Sequence, residues 1–191
     1  MISARNECTA TLLNDGTVLI AGGDGGPNLD PLITAELFDP TTGSFTATGS
    51  VTEARTGHSA TLLNTGKVLV TGGINSNGDV STTAEVFDPA SGTFSTVSPM
   101  NSGHAFHTTT WLDDGTVLVA GGFVFPDPPG DGSVIAELFD PATDIFSRIG
   151  SLGTGRYLHT ATKLNNGEVL VTGGEFQTTP VMILKSAELF K

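Results

Sequence analysis

Residues 55–73 read Arg-Thr-Gly-His-Ser-Ala-Thr-Leu-Leu-Asn-Thr-Gly-Lys-Val-Leu-Val-Thr-Gly-Gly, and recognisable copies begin at Arg5, His104 and Arg156. No other feature limits the fold so tightly. Each copy ends in a double glycine: Gly22-Gly23, Gly72-Gly73, Gly121-Gly122 and Gly173-Gly174, spaced by about fifty residues. A unit repeated at this period cannot bury its apolar side alone, so neighbouring copies must stack as an array or a propeller. The residue mix agrees. Twenty-five glycines, ten prolines and only 15% charged residues favour strands and turns over surface helices. No window carries the i, i+3, i+4, i+7 apolar stripe of a helix.

Each repeat parses into the same short strands. The first is expected at 8–13, 58–63, 107–112 and 159–164. It runs into a tight turn built from Asn, Asp, Thr and a closing Gly16, Gly66, Gly115 or Gly167, where positive φ is required. The second, at 17–21, 67–71, 116–120 and 168–172, has a Val-Leu-Val or Val-Leu-Ile core without polar alternation, as in a strand covered on both faces. After the double glycine comes a loop of unequal length, and then Ala-Glu-Leu-Phe-Asp-Pro or a near copy at 35–40, 84–89 and 136–141. Alternation there sends Glu36 and Phe38 one way and Leu37 the other. Asp-Pro opens a turn closed by Gly43, Gly92 or Asp144, and a fourth strand follows around Phe45, Phe94 or Phe146.

Four antiparallel strands per repeat describe a propeller blade. The succession Arg-x-x-His, turn Gly, Val-Leu-Val-x-Gly-Gly, Ala-Glu-Leu-Phe-Asp-Pro, Phe resembles the kelch repeat, as in bacterial kelch proteins and the central propeller of galactose oxidase. The resemblance covers essentially the whole chain and implies an all-β, kelch-type β-propeller with repeats at about 5–54, 55–103, 104–155 and 156–191. The last blade is incomplete: its copy stops at residues 187–191, inside the third strand, and residues 1–4 align with 51–54 instead of replacing the fourth. The chain therefore reads as a segment of a larger propeller. A compact four-blade ring or a pair of associated arcs is the alternative, since bare blade faces and strand edges invite self-association.

Charge narrows the partners. The net charge is −12, and eight Lys or Arg are scattered, so no basic patch exists to replace counterions on nucleic acid or an anionic membrane. No apolar run approaches the ~18 residues of a membrane helix. The first residues lack the apolar core of a signal peptide; an extracytoplasmic or secreted setting is mildly favoured all the same. Cys8 is the single cysteine, which excludes an intrachain disulfide and a Cys-rich zinc site.

Candidate chemistry meets a structural rival at each position. His58, His107 and His159 are the right number for a metal, but they occupy equivalent places in successive blades, whereas zinc ligands converge within about 2 Å of one ion. Each is instead expected to bond the backbone of its own blade. Glu36, Glu85, Glu137 and Glu188 are expected to pair with Arg5, Arg55, His104 and Arg156 of the same repeat, because a carboxylate in a dry sheet needs a partner. The galactose oxidase resemblance implies a copper held by two Tyr and two His, with one Tyr cross-linked to a Cys. Cys8 stands at about that Cys position, but its Tyr partner would fall near Gly57, and the only tyrosine is Tyr157. No copper site, metal or other cofactor is therefore expected, and Cys8 reads as a small buried apolar residue.

Function is expected in the unequal loops at 24–34, 74–83, 123–135 and 175–186, because variable loops on a rigid frame carry binding residues. The candidates are Asp24, Asn28, Asp30, Asn75, Asn77, Asp79, Phe123, Phe125, Asp127, Asp131 and Phe176. The 75–79 stretch lacks the downstream Glu of a calcium loop, and 22–26 lacks the Gly-Lys-Ser/Thr ending of a phosphate loop. The reading is a non-enzymatic binding or scaffold module for a protein or glycan. The alternative is part of an oxidase-like or carbohydrate-active enzyme whose catalytic residues lie outside this chain.

Overall fold

In the computed structural model, which describes residues 1–124, 132–176 and 180–190, every regular element is a β-strand. The first blade consists of β1 (Thr9–Leu12), β2 (Val18–Ala21), a small hairpin of β3 (Asp24–Gly25) and β4 (Asp30–Pro31) inside the variable loop, then β5 (Ala35–Asp39) and β6 (Ser44–Ala47). The second has β7 (Ser59–Leu62), β8 (Val68–Thr71), β9 (Ala84–Asp88) and β10 (Thr93–Thr96); the third has β11 (Thr108–Trp111), β12 (Val117–Ala120), β13 (Ile135–Asp140) and β14 (Ile145–Ser151). The fourth has β15 (Thr160–Lys163), β16 (Val169–Thr172), the hairpin β17 (Glu175–Phe176) and β18 (Met182–Ile183), and β19 (Ala187–Phe190). Among the described residues, three of the blade sheets have four antiparallel strands in meander order, and the fourth blade's sheet has three, β15-β16-β19. The inner strands touch in succession, β1 on β7, β7 on β11, β11 on β15, so the blades stand side by side as in a propeller.

Turn chemistry sets the registers. Gly16, Gly66, Gly115 and Gly167 take φ of 80–87°, which closes the inner hairpins. Asp39, Asp88 and Asp140 each accept the N–H two residues on with Oδ1, at 2.7–2.9 Å. Asp144 stands left-handed at φ 57° where the other two turns use glycine.

Alternation then sorts the apolar side chains to the two faces of each blade. Leu19, Ala21 and Ala35 of the first blade pack on Val68, Val70 and Phe87 of the second. Leu69, Ala84 and Val86 of the second pack on Val117, Val119 and Phe139 of the third. Leu118, Ala120 and Ala136 of the third pack on Val169 and Val171 of the fourth. The core thus lies between blades, and each buried Val, Leu or Phe contributes about 1.5–3 kcal/mol.

A strap before each inner strand stitches blade to blade. Val51, Met100 and Leu152 donate N–H to Ile33, Thr82 and Val134 carbonyls of the preceding blade. Further along, the strap's basic side chain turns into its own blade. Arg5 meets Glu36 at 2.9 Å, Arg55 meets Glu85 at 2.8 Å, His104 meets Glu137 at 3.3 Å and Arg156 meets Glu188 at 2.5 Å. These are the pairs expected from sequence. Each Glu also accepts two strap N–H groups, for example those of Asn101 and Ser102 on Glu137. Burial alone would raise the carboxyls of Glu36, Glu137 and Glu188. The N–H groups and basic partners outweigh it for Glu36, Glu137 and Glu188, which sit below the usual range.

The histidines depart from expectation. His58 Nε2 bonds Thr9 Oγ1 at 2.9 Å, His107 bonds Thr71 at 2.8 Å and His159 bonds Thr108 at 3.0 Å, each across the joint to the preceding blade. The reason is the double glycine. Gly23, Gly73 and Gly122 donate N–H to the Arg55, His104 and Arg156 carbonyls of the next strap at 2.7–2.9 Å. A Cβ at Gly22 would stand 2.7 Å from both the Arg55 carbonyl oxygen and the His58 ring. Only glycine lets the strap come that close, and the strap delivers its imidazole to the neighbour.

Candidate binding face

The straps and the variable loops share one end of the blades. Asn6 bridges to Asp24, Thr56 to Ile74, Ala105 to Phe123 and Tyr157 to Glu175, so each loop begins on its own strap. The strap residue before the His position is Glu7, Gly57, Phe106 or Leu158, and all four are left-handed, at φ 51°, 60°, 52° and 53°. Three are not glycine, a conformation that costs an L-residue about 1–2 kcal/mol. A backbone chain joins three of them across blades: Leu158 N–H donates to Phe106 O at 3.0 Å, and Phe106 N–H donates to Gly57 O at 2.7 Å. The Phe106 ring lies over Gly57. Glu7 accepts a hydrogen bond from the Thr56 hydroxyl at 3.1 Å, and Leu158 is 56% exposed.

Beside this row, Phe123 meets buried Tyr157 edge-on, with centroids 5.6 Å apart. Burial, followed by the contact with Glu175, raises the Tyr157 phenol. Asp24 lines a shallow depression of about 200 Å³ with Asn6, Gly26 and Leu29. The carboxylates of Glu7, Asp24 and Glu175 thus stand on the same row of straps and loop starts as apolar Phe106 and Leu158.

Other sequence candidates scatter. Asn28, Asn77 and Asp79 are exposed in the loops, Asp30 is exposed in β4, and Phe176 is half-buried in β17. Asn75 is occupied in building its turn: Oδ1 accepts from Asn77 and Asp79 N–H at 2.9 and 3.1 Å, while Nδ2 donates to Glu53. Phe125, Asp127 and Asp131 lie outside the described residues. Cys8 is half-buried, less enclosed than expected, beside Gly23.

Glu7, Phe106 and Leu158 were missed by the loop-based reading. Their signal is present in the repeats all the same, because the two places between Arg and His vary inside an otherwise fixed frame. Two further depressions of about 200 and 230 Å³ share Thr65 and Pro141; Val86, Ser95 and Thr96 of the second blade's outer strands help line the first, and turn residues such as Asp114 and Gly115 line the second. They involve none of the variable loops.

Residues 54–101 match the family model described as the kelch motif. No curated protein sequence matches the chain. Among solved structures, the one titled "Structure of YjhT" is similar at a TM-score of 0.78 and 17% identity, covering 90% of this chain. The chain spans 60% of the length of that structure. At this identity the likeness speaks for the fold.

Proposed function

We propose that this chain, a kelch-type β-propeller in its blades and straps, is a binding module that holds a protein segment against the strap-and-loop end. One observation carries the reading: Glu7, Phe106 and Leu158 keep left-handed backbone at equivalent places, although the second blade solves the same turn with Gly57. Backbone strain retained where glycine is available points to side chains kept for contact. An exposed Leu and a half-buried Phe at an end that also carries the Glu7, Asp24 and Glu175 carboxylates suit a segment with apolar and basic residues. A glycan is the second reading, because Phe123 and Tyr157 offer ring edges; most of Tyr157 is covered, which places it second.

The test is selection from a random peptide display library and, in parallel, a glycan array, using the purified chain as bait. Peptides rich in Lys or Arg beside an apolar residue should emerge, and Leu158→Asp should weaken them at least tenfold. Peptides that bind Leu158→Asp unchanged would overturn the reading, as would glycans alone.

A further inference from the structure

The two end blades carry the two halves of one joint. Wherever blades meet, the preceding blade supplies a double glycine, a pair of loop carbonyls and a hydroxyl, and the following blade supplies a strap and an apolar sheet face. The fourth blade repeats the receiving half. Gly173 and Gly174 keep φ of 66° and 91°, and Leu184 N–H donates to Gly174 O at 2.9 Å as Leu32 does to Gly23 O at 2.8 Å. Thr160 and Thr172 occupy the hydroxyl seat and bond each other at 2.8 Å. The seat is open. Among the described residues, a Cβ at Gly173 would meet only the Leu184 carbonyl, at 3.8 Å, and the Gly174 N–H has no partner.

The sheet faces match in the same sense. Pairing of Leu170 with Leu189 repeats that of Leu19 with Leu37, so the fourth blade's outer face presents what the first blade packs against the second. Leu189 is 52% exposed there. The first blade's outer face presents Leu12, Val18 and Phe38 where the second blade offers Leu62, Val68 and Phe87 to its neighbour. Leu12 is 63% exposed. The first strap is already shaped for docking, with Ile2 and Ser3 N–H and the Arg5 side chain on Glu36.

We propose that a second copy of this chain docks its first blade on the fourth blade of the first copy, head to tail. The contact continues the three joints inside the chain, and both its halves are encoded in one sequence. Such a joint closes into a ring if its rotation allows and otherwise extends. Cys8, in place of histidine, would face Thr160 and Thr172, giving a less filled joint than those inside the chain. This joint is inferred from the end blades and not from the ligand reading, although it would set Glu7 of the second copy beside Leu158, as Phe106 is set beside Gly57.

The test is the mass in solution, by size exclusion with light scattering over a wide concentration range, with circular dichroism confirming the fold of each variant. The chain should run at twice its 19.6 kDa or a higher multiple. Leu12→Glu and Leu189→Glu should each be monomeric alone, and an equimolar mixture should form a heterodimer through the one intact pair of faces. Gly173→Asn, which tolerates left-handed backbone, should fold and stay monomeric. A wild-type chain that is monomeric throughout would overturn the proposal and leave the seat to a further blade or another protein. Single variants that associate like wild type would overturn it as well, by showing contact through like faces.

Discussion

The strap concentrates opposing demands on single residues. Arg55 and Glu85 are fully buried, and a guanidinium stranded without its carboxylate is costly. Glu85→Gln should therefore lose about 3–5 kcal/mol in urea unfolding, whereas Asp113→Asn, at the exposed pair with Lys163, should change stability by less than about 1 kcal/mol. Leu158 poses the reverse case. Half-exposed and at φ 53°, it should gain about 1 kcal/mol on replacement by glycine. The same Leu158→Gly variant should bind selected peptides more weakly, and a stabilised variant with unchanged binding would remove the argument from strain. The buried histidines set the response to acid. Burial, aided by Arg55, holds His58 down to about 3; burial and Arg156 hold His159 to about 4; His107 lies well below its ordinary value through burial and the neighbouring His104. Below about pH 6.5 the unfolded chain therefore takes up protons that the folded chain refuses. Stability must fall as pH drops from about 6.5 toward 4, by up to about 1.4 kcal/mol per pH unit for each histidine. The lowered Glu36, Glu137 and Glu188 act in the same direction, losing their contribution as pH falls below the ordinary carboxylate range. His58→Gln should flatten the melting-temperature profile in that window while changing it little above pH 7.

At the level of the element, the double glycine is a docking seat as much as a strand end. Gly22→Ala and Gly121→Ala would each drive a carbon to 2.7 Å from a strap carbonyl and a histidine ring. Overpacking together with left-handed strain should cost about 2–4 kcal/mol at either site, against less than about 1 kcal/mol for Gly173→Asn when all three are compared in the non-associating Leu12→Glu background, where that seat stays empty. Equal losses at all three sites by thermal unfolding would show that strand geometry, and not the strap, requires glycine. The strands and turns were readable in sequence because period-two alternation, Asn/Asp-Gly turns and the Asp-Pro step act over a few residues. The Glu–Arg pairs were readable too, since a repeated buried charge requires a repeated partner. The destination of the histidines was not. Nothing local distinguishes a bond to the blade's own backbone from one to Thr9 in the blade before, because that choice depends on how closely the strap crosses Gly22. The same holds for Asn75, which looks like a loop ligand in sequence and is taken up by its own turn. For Glu7, Phe106 and Leu158 the variation was visible, but their left-handed backbone emerges only when four straps are seen together.

On the scale of the whole molecule, stability should follow the stacking of blades. Each blade contacts its neighbours through one apolar layer per side, so the chain approximates a linear array with nearest-neighbour terms. The second and third blades are covered on both faces, and all residues of β8 and β12 are buried. The end blades are covered on one. In β16 burial alternates, and in β19 exposed and half-buried residues alternate, with no outer strand beside it among the described residues. Amide hydrogen exchange should accordingly be slowest in β8 and β12, faster in β1 and β2, and fastest in β19, because local opening requires only the contacts of one face to be lost. Uniform protection across the four blades would mean that the chain opens as one cooperative unit. The pattern should also respond to association. A blade that gains a neighbour moves from the end class to the middle class, so the Gly174 amide, β16 and β19 should slow as concentration rises, along with the outer face of β1 and β2. In Leu189→Glu those same amides should exchange at a concentration-independent rate while β8 and β12 stay as they were, which separates coverage of the end faces from any general change in stability.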